Sequence, residues 1–202
     1  DNTEADACVA TDAGVVCTIM VADCLPVLLA HTSGAVVGAA HAGWRGLAGQ
    51  SGVGVLESAM RALFERFQAL ALTNKAQAAI ENVANNAESF EAVARGTLAW
   101  LGPCIGPQAF EVGPEVREAF CAAGPQYSAC FVPSPTQQGK WLADLAGLAR
   151  LRLQAMGVTR IDGNDSSAAW CTVTQSARFF SHRRDTALLG GSGRLAACIW
   201  RG

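Results

Sequence analysis

Asp23, Cys24, His41 and Arg45 fall within one stretch, VADCLPVLLAHTSGAVVGAAHAGWRGL (Val21 to Leu47), and supply a carboxylate, a thiol, an imidazole and a guanidinium. Thiolate and imidazole are ligands for a metal such as zinc, and the same two groups form a nucleophile with its base. A carboxylate beside them can orient a ligand or move a proton, and a guanidinium can hold an anion. Three readings stay open on spacing alone: a zinc site, a Cys24/His41 dyad, and a structural cluster in a binding protein.

Two apolar runs, Pro26 to Ala30 and Ala35 to Ala40, flank His31-Thr32-Ser33-Gly34 and predict a β-hairpin. With the turn near Ser33, antiparallel pairing brings His41 within a step or two of Cys24. His31 then lies at the other end, as a solvated turn residue. The segment before the hairpin, residues 14 to 22, is rich in β-branched and apolar residues and predicts a strand buried on both faces. After it, Val53, Leu56, Met60, Leu63, Phe64 and Phe67 follow the spacing of an amphipathic helix. Its start near Trp44-Arg45-Gly46 would offer free backbone N–H groups to an anion such as phosphate, with Arg45 beside it. The alternative is that Arg45 caps the helix or pairs with Asp23.

Residues 71 to 95 are alanine- and asparagine-rich and predict one or two surface helices. TLAWL (Thr97 to Leu101) reads as a strand, and Gly102-Pro103-Cys104-Ile105-Gly106-Pro107 as a rigid loop in which Cys104 is a ligand, a nucleophile or a packed small residue. A helix is expected from Pro114 to Gly124, an exposed loop over 125 to 139, and a second amphipathic helix from Lys140 to Gly157 carrying Leu142, Leu145, Leu148, Leu151 and Met156. Short strands are expected at Val158 to Asp162, Phe179-Phe180 and Leu195 to Trp200, the last preceded by a glycine-rich turn at 190 to 193. Between them, Ser181-His182-Arg183-Arg184-Asp185 reads as a surface ion-pair cluster, an anion site or an internal ion pair.

The chain has 202 residues, 50% of them hydrophobic and 16% charged, enough for a sizeable core in what is expected to be a single domain over 1–202. A net charge of -2, with Arg and Lys scattered, gives no footprint for nucleic acid. No apolar run approaches the ~18 residues of a membrane span. Eight cysteines contain no C-x-x-C pair and suit reduced thiols in a cytoplasmic setting, Cys17 and Cys198 being expected in the core. Nothing in the pattern sets an oligomeric state.

The segments Ile19 to Leu29, His41 to Leu47, Leu101 to Pro107, Phe110 to Val116 and Phe179 to Asp185 resemble, in order, the family once called laccase-domain or multicopper polyphenol oxidases and now described as purine nucleoside phosphorylases, which includes the bacterial peptidoglycan editing factor. The resemblance implies an α+β fold, a layered α/β sandwich with mixed sheets flanked by helices. It implies phosphorolysis of adenosine, inosine, guanosine and methylthioadenosine, adenosine deamination, and a zinc site with Cys24 and His41 as ligands. The family's third ligand is a histidine preceding the element matched by Ala5-Asp6-Ala7, so the chain resembles a member lacking its amino-terminal portion. On this basis Asp23, Arg45 and Arg183 are expected to be catalytic, with Trp44, Cys104, His182 and Arg184 binding purine nucleoside and inorganic phosphate. Copper is the alternative metal and phenol oxidation the alternative reaction, although three histidines are few for such sites. A cysteine hydrolase or peptidoglycan-precursor editing factor using Cys24 and His41 is the other alternative.

Overall fold

The computed structural model describes residues 4–79 and 89–202. Its centre is a five-stranded mixed sheet in the spatial order β1 (Ala7–Ala10), β4 (Val37–Ala42), β3 (Leu25–His31), β5 (Thr97–Leu101) and β9 (Arg160–Gly163). Only the β5–β9 pairing is parallel. The predicted hairpin is β3–β4. Gly34 takes the left-handed conformation at φ +70° and its N–H donates to the His31 carbonyl at 2.9 Å, closing the turn.

Alternation along β3 assigns its two faces. Leu25, Val27 and Leu29 join a core that includes Leu56, Met60 and Leu63 of α2 (Val55–Ala79) and Leu145, Leu148 and Leu153 of α5 (Leu145–Ala155). Leu28 and Ala30 face the other way, towards a second core with Cys17, Ile19 and Val21 of β2 (Val16–Val21). β2 pairs antiparallel with β10 (Leu195–Trp200) in a separate two-stranded sheet. Helices, central sheet and small sheet therefore stack as a layered α+β sandwich. Each buried leucine contributes about 1.5–3 kcal/mol, and a one-residue slip of β3 would exchange its two faces, so these side chains hold the register that matters for the site.

Several sequence expectations change. β2 is buried on one face only: Val16 and Met20 are exposed, and Cys198 opposite Thr18 is exposed with them, while Cys17 is in the core as expected. His31 is buried against Phe67, with ring centroids 4.4 Å apart, and its Nδ1 is 2.8 Å from Ser33 Oγ. Its imidazole closes the turn, so it is no solvated residue. Val53 lies outside the helix and exposed, in the turn before α2. The surface helices expected over 71–95 are partly met by the end of α2 and by α3 (Phe90–Arg95), and the remainder of that stretch lies outside the described residues.

The expected loop over 125–139 contains a 3-10 turn, Pro125–Cys130, followed by β7 (Phe131–Pro133). β7 belongs to a small antiparallel sheet with β6 (Glu111–Val112) and β8 (Trp141–Ala143). The helix expected from Lys140 thus starts later, because Asp144 caps it by accepting from the Gly147 N–H at 2.8 Å. Leu142 is spent in the strand. α5 also carries Arg152, 2% exposed, whose guanidinium donates to Glu57 of α2 at 2.8 Å and to the carbonyls of Ala48 and Gly52. That buried ion pair anchors the segment between α1 (Trp44–Ala48) and α2.

The strand expected at Phe179-Phe180 is absent. Those residues lead into α6 (His182–Leu189), where Ser181 caps the helix by accepting from the Arg184 N–H at 3.1 Å. The stretch from Thr186 is the second half of this helix, which stops at left-handed Gly190, the first residue of the expected glycine-rich turn.

Candidate functional site

The hairpin register places Pro26 opposite His41, which brings His41 to the end of the sheet where Cys24 enters β3. The β1–β4 ladder, Ala7 opposite Ala40, continues one residue further, so Asp6 sits across from His41. The His41 N–H donates to the Asp6 carbonyl at 2.7 Å, and Asp6 Oδ1 is 2.9 Å from His41 Nδ1. The other side of the half-buried imidazole meets Cys24. The hydrogen bond with the Cys24 thiol first, and Asp6 after it, raise the His41 pKa to about 9 against the opposing effect of burial. Cys24, His41 and Asp6 form a chain in which the carboxylate fixes the ring orientation and leaves Nε2 for sulfur or a metal.

Gly43 opens the front of this pair. Its φ of -70° suits any residue, but a β-carbon there would stand 3.1 Å from Cys24 Sγ and 3.9 Å from His41 Cε1. Glycine therefore keeps the approach to thiol and imidazole clear. Trp44 and Arg45 follow immediately. The exposed Arg45 guanidinium lies 4.4 Å from the Trp44 ring centroid, a cation–π arrangement that keeps its charge available at the surface. It neither caps a helix nor pairs with Asp23. The helix beginning at Trp44 has five residues, and the longer α2 has its own anion, since Glu57 accepts from the Gly54 N–H at 2.8 Å. The helix start beside Arg45 therefore belongs to the short α1, and the amphipathic helix expected to begin there, α2, starts separately at Val55.

Asp23 has another environment. It occupies the β2–β3 turn at φ +78°, 8% exposed, and its carboxylate accepts from Thr172 Oγ1 at 2.5 Å, Ser181 Oγ at 3.1 Å and the Arg183 N–H at 2.7 Å. Its own carbonyl accepts from the Ile105 N–H at 2.9 Å. With its oxygens engaged at the start of α6, Asp23 binds three chain segments together beside Cys24, which is a positioning task. This contact ties the Arg183 backbone to the turn that holds Cys24. The exposed Arg183 side chain reaches the Glu111 carbonyl at 3.2 Å, with the guanidinium 5.9 Å from the Phe110 ring centroid.

Arg184 is taken by the protein. It donates to both Asp185 oxygens, at 2.6 and 3.0 Å, and to the carbonyls of Thr172, Val173 and Phe179. The internal ion pair is thus the reading that fits, and the guanidinium expected to bind substrate is engaged within the fold. Arg184 in turn holds the Asp185 carboxyl below the usual range, together with the Ser181 N–H. His182 is exposed on α6 with Nδ1 3.0 Å from Thr186 Oγ1. Cys104, 1% exposed, bridges to Cys171 across a short parallel pairing and receives the Asn164 side-chain amide at 3.4 Å. Burial pushes its thiol upward, away from the ionised form. Among its described surroundings it is a packed residue under the Gly102–Pro107 loop.

The residue missed by sequence reasoning is Asp6. Its signal was present in the Ala5-Asp6-Ala7 element, but pairing it with His41 required the edge strand β1, too short to read. Among the described residues, no group of three or more histidine, cysteine or acidic side chains is arranged to hold a metal ion. Cys24 and His41, with Asp6 behind the imidazole and the Gly43 opening in front, have the chemistry of two zinc ligands and the carboxylate behind one of them. No helix among the described residues is long and apolar enough to cross a membrane.

Comparison with known proteins agrees with the resemblance read from the sequence. The chain matches the family model described as multi-copper polyphenol oxidoreductase laccase over residues 1–80 and 72–202. It is 42% identical to a protein of Pseudomonas aeruginosa and 44% identical to YfiH of Escherichia coli, both named purine nucleoside phosphorylase; 97% of the chain aligns in each case, with 64% and 63% of the relatives. The chain thus spans somewhat under two-thirds of the length of these relatives. Among solved structures, a Neisseria meningitidis protein of family DUF152 superposes with a TM-score of 0.74 at 39% identity, over 98% of this chain and 65% of that one. YlmD of Geobacillus stearothermophilus gives 0.69 at 29% identity, over 97% and 60%. The hairpin that carries Cys24 and His41, the layered sandwich around it and the match along both halves have one conclusion: the chain belongs to the multi-copper polyphenol oxidoreductase laccase family.

Proposed function

We propose that the chain carries the reactive centre of a purine nucleoside phosphorylase, in which Cys24 and His41 are two ligands of a zinc ion and Arg45 and Arg183 receive phosphate. The observation that carries this reading is the contact of Cys24 with an imidazole whose far nitrogen is held 2.9 Å from Asp6, in front of which Gly43 leaves space. The names of the relatives support the reaction class. Adenosine, inosine, guanosine and methylthioadenosine are the proposed substrates, with deamination of adenosine as an accompanying activity. Copper is the alternative metal; of the other two imidazoles, His31 lies at the far end of β3 and His182 stands beside Thr186 on α6.

In the proposed reaction an oxygen of inorganic phosphate bonds to the ribose anomeric carbon while the bond from that carbon to the purine nitrogen breaks. The electron pair leaves with the base, which takes a proton, and ribose 1-phosphate is formed. Arg45 draws the anion to the opening and orients it, Arg183 faces it from α6, and Trp44 offers a ring edge for the nucleoside. Asp23 holds the Cys24 turn against α6, and Asp6 holds the ring of His41. Bound zinc would supply a Lewis acid for a substrate or water oxygen.

A second reading has one observation in its favour: thiol, imidazole and carboxylate also follow the order of a cysteine hydrolase, with Cys24 as nucleophile, His41 as base and Asp6 as its orienting partner. Inosine and phosphate incubated with the full chain, with products separated and bound metal quantified, distinguish the two. Hypoxanthine with ribose 1-phosphate, inhibited by a chelator and restored by zinc, supports the phosphorylase. Nucleosides left intact in the presence of zinc, with an ester or amide hydrolysed in a chelator-insensitive, alkylator-sensitive manner, would replace it with the hydrolase.

A further inference from the structure

A second pair of thiols lies away from Cys24. β1 and β2 run on either side of the smaller core, and their alternation directs one cysteine from each strand into the same gap. On β1, Ala7 and Val9 turn towards the helices, while Ala10 belongs to the opposite core; Cys8, two residues from Ala10, shares its face. Its cross-strand neighbour is Ala39 of that same core. On β2, Cys17 is 3% exposed and in that core. β1 packs against β2 across this core, and the Cys17 thiol feels the neighbouring Cys8 thiol, with Cys8 at the solvent edge and Cys17 inside.

We propose that Cys8 and Cys17 form a reversible disulfide in response to hydrogen peroxide, a redox site separate from the Cys24–His41 centre. The exposed Cys8 sulfur attacks the peroxide; its S–O bond forms, the O–O bond breaks, and hydroxide leaves and takes up a proton as water, giving the sulfenic acid. The Cys17 sulfur then attacks Cys8 sulfur. The S–S bond forms, the S–O bond breaks, and the departing hydroxyl combines with the Cys17 proton as a second water. The two sulfurs have together lost two electrons to the peroxide, and a dithiol reductant reverses the change. Burial foremost, and the neighbouring Cys8 next, push the Cys17 thiol up to about 12, so it waits protonated while Cys8 meets the oxidant. The bond would staple β1 to β2, and β1 directly follows Asp6, whose carbonyl and carboxylate both engage His41.

The test uses the full chain treated with stoichiometric hydrogen peroxide, followed by intact mass measurement and non-reducing peptide mapping. The expected result is loss of the mass of two hydrogen atoms, one cross-linked peptide pair containing Cys8 and Cys17, and complete reversal by dithiothreitol. In Cys17→Ser the cross-link disappears and Cys8 becomes trappable by dimedone; in Cys8→Ser peroxide leaves Cys17 alkylatable after unfolding. Oxygen addition at Cys8 with Cys17 still a free thiol, a cross-link between two copies, or a bond to Cys198 in its place would each overturn the proposal.

Discussion

Asp6 and His41 are joined twice: carboxylate to imidazole Nδ1 at 2.9 Å, and carbonyl to the His41 N–H at 2.7 Å. The backbone bond fixes where the acid stands, and the acid fixes which way the ring faces. This double tie makes the edge strand β1, which directly follows Asp6, part of the frame of the candidate site.

Asp6→Asn keeps the size of the side chain and the backbone bond but removes the charge behind the imidazole. Zinc affinity of the chain, measured by competition with a chromophoric chelator, is expected to fall about 10–100-fold, as for other carboxylates behind a metal-bound histidine. Unchanged affinity would show that His41 needs no such partner.

Asp23 is expected to reveal itself in stability. Loss of a buried carboxylate that accepts three hydrogen bonds leaves Thr172, Ser181 and the Arg183 N–H without that partner. Asp23→Ala should cost about 2–4 kcal/mol in urea unfolding, given that bonds to a charged group are worth about 1.5–3 kcal/mol each and are not additive. Asp23→Asn should cost less, because asparagine also tolerates the left-handed conformation and keeps an acceptor. A neutral Asp23→Ala would contradict the anchoring role.

Asp185 contributes a pH dependence whose sign follows from its lowered pKa. The hydrogen bond from Arg184, then the Ser181 N–H, favours the ionised form in the folded state. That stabilisation is complete above the unfolded carboxylate pKa of about 3.9 and disappears as pH falls through the lower folded value. The urea midpoint difference between the native chain and Asp185→Asn is therefore expected to be largest above about pH 5 and to shrink in stronger acid. A difference that grows on acidification would reverse the assignment.

Arg45 and Arg184 are expected to part company on substitution. Arg45 is exposed beside Trp44, so Arg45→Ala should leave the melting temperature within a degree or two, as for a surface change of about 0.5 kcal/mol or less, while raising KM for phosphate by about tenfold. Arg184→Ala breaks a pair that also holds three carbonyls and should lower stability first. Equal effects of both on KM at unchanged stability would return Arg184 to the substrate site.

The hairpin was legible because turn residues between two apolar runs leave one register, and that register set His41 near Cys24. Helix α2 was legible from Leu56, Met60 and Leu63 for the same reason of period. What escaped were contacts set by distant segments. The Ser181 hydroxyl that caps α6 also donates to Asp23, far away in sequence, which accepts from the Arg183 N–H as well, and nothing near Arg184 in sequence indicates the carbonyls of Thr172 and Val173 as its partners. The one-sided burial of β2 was hidden by its apolar composition, since Val16 and Met20 read as core residues yet face outward. Lys140 to Ala143 mimicked a helix start because a leucine at 142 fits the helical spacing, and Asp144 as the true cap decided otherwise.

The most direct measurement is ribose 1-phosphate formed from inosine and inorganic phosphate by the zinc-supplemented full chain, compared with Cys24→Ser assayed at equal folded concentration. Product from the native chain and a loss of at least about 100-fold in Cys24→Ser, with thermal stability retained, is the predicted result for a ligand of the reactive centre. Equal rates in the two proteins, or no ribose 1-phosphate from the native chain, would contradict it.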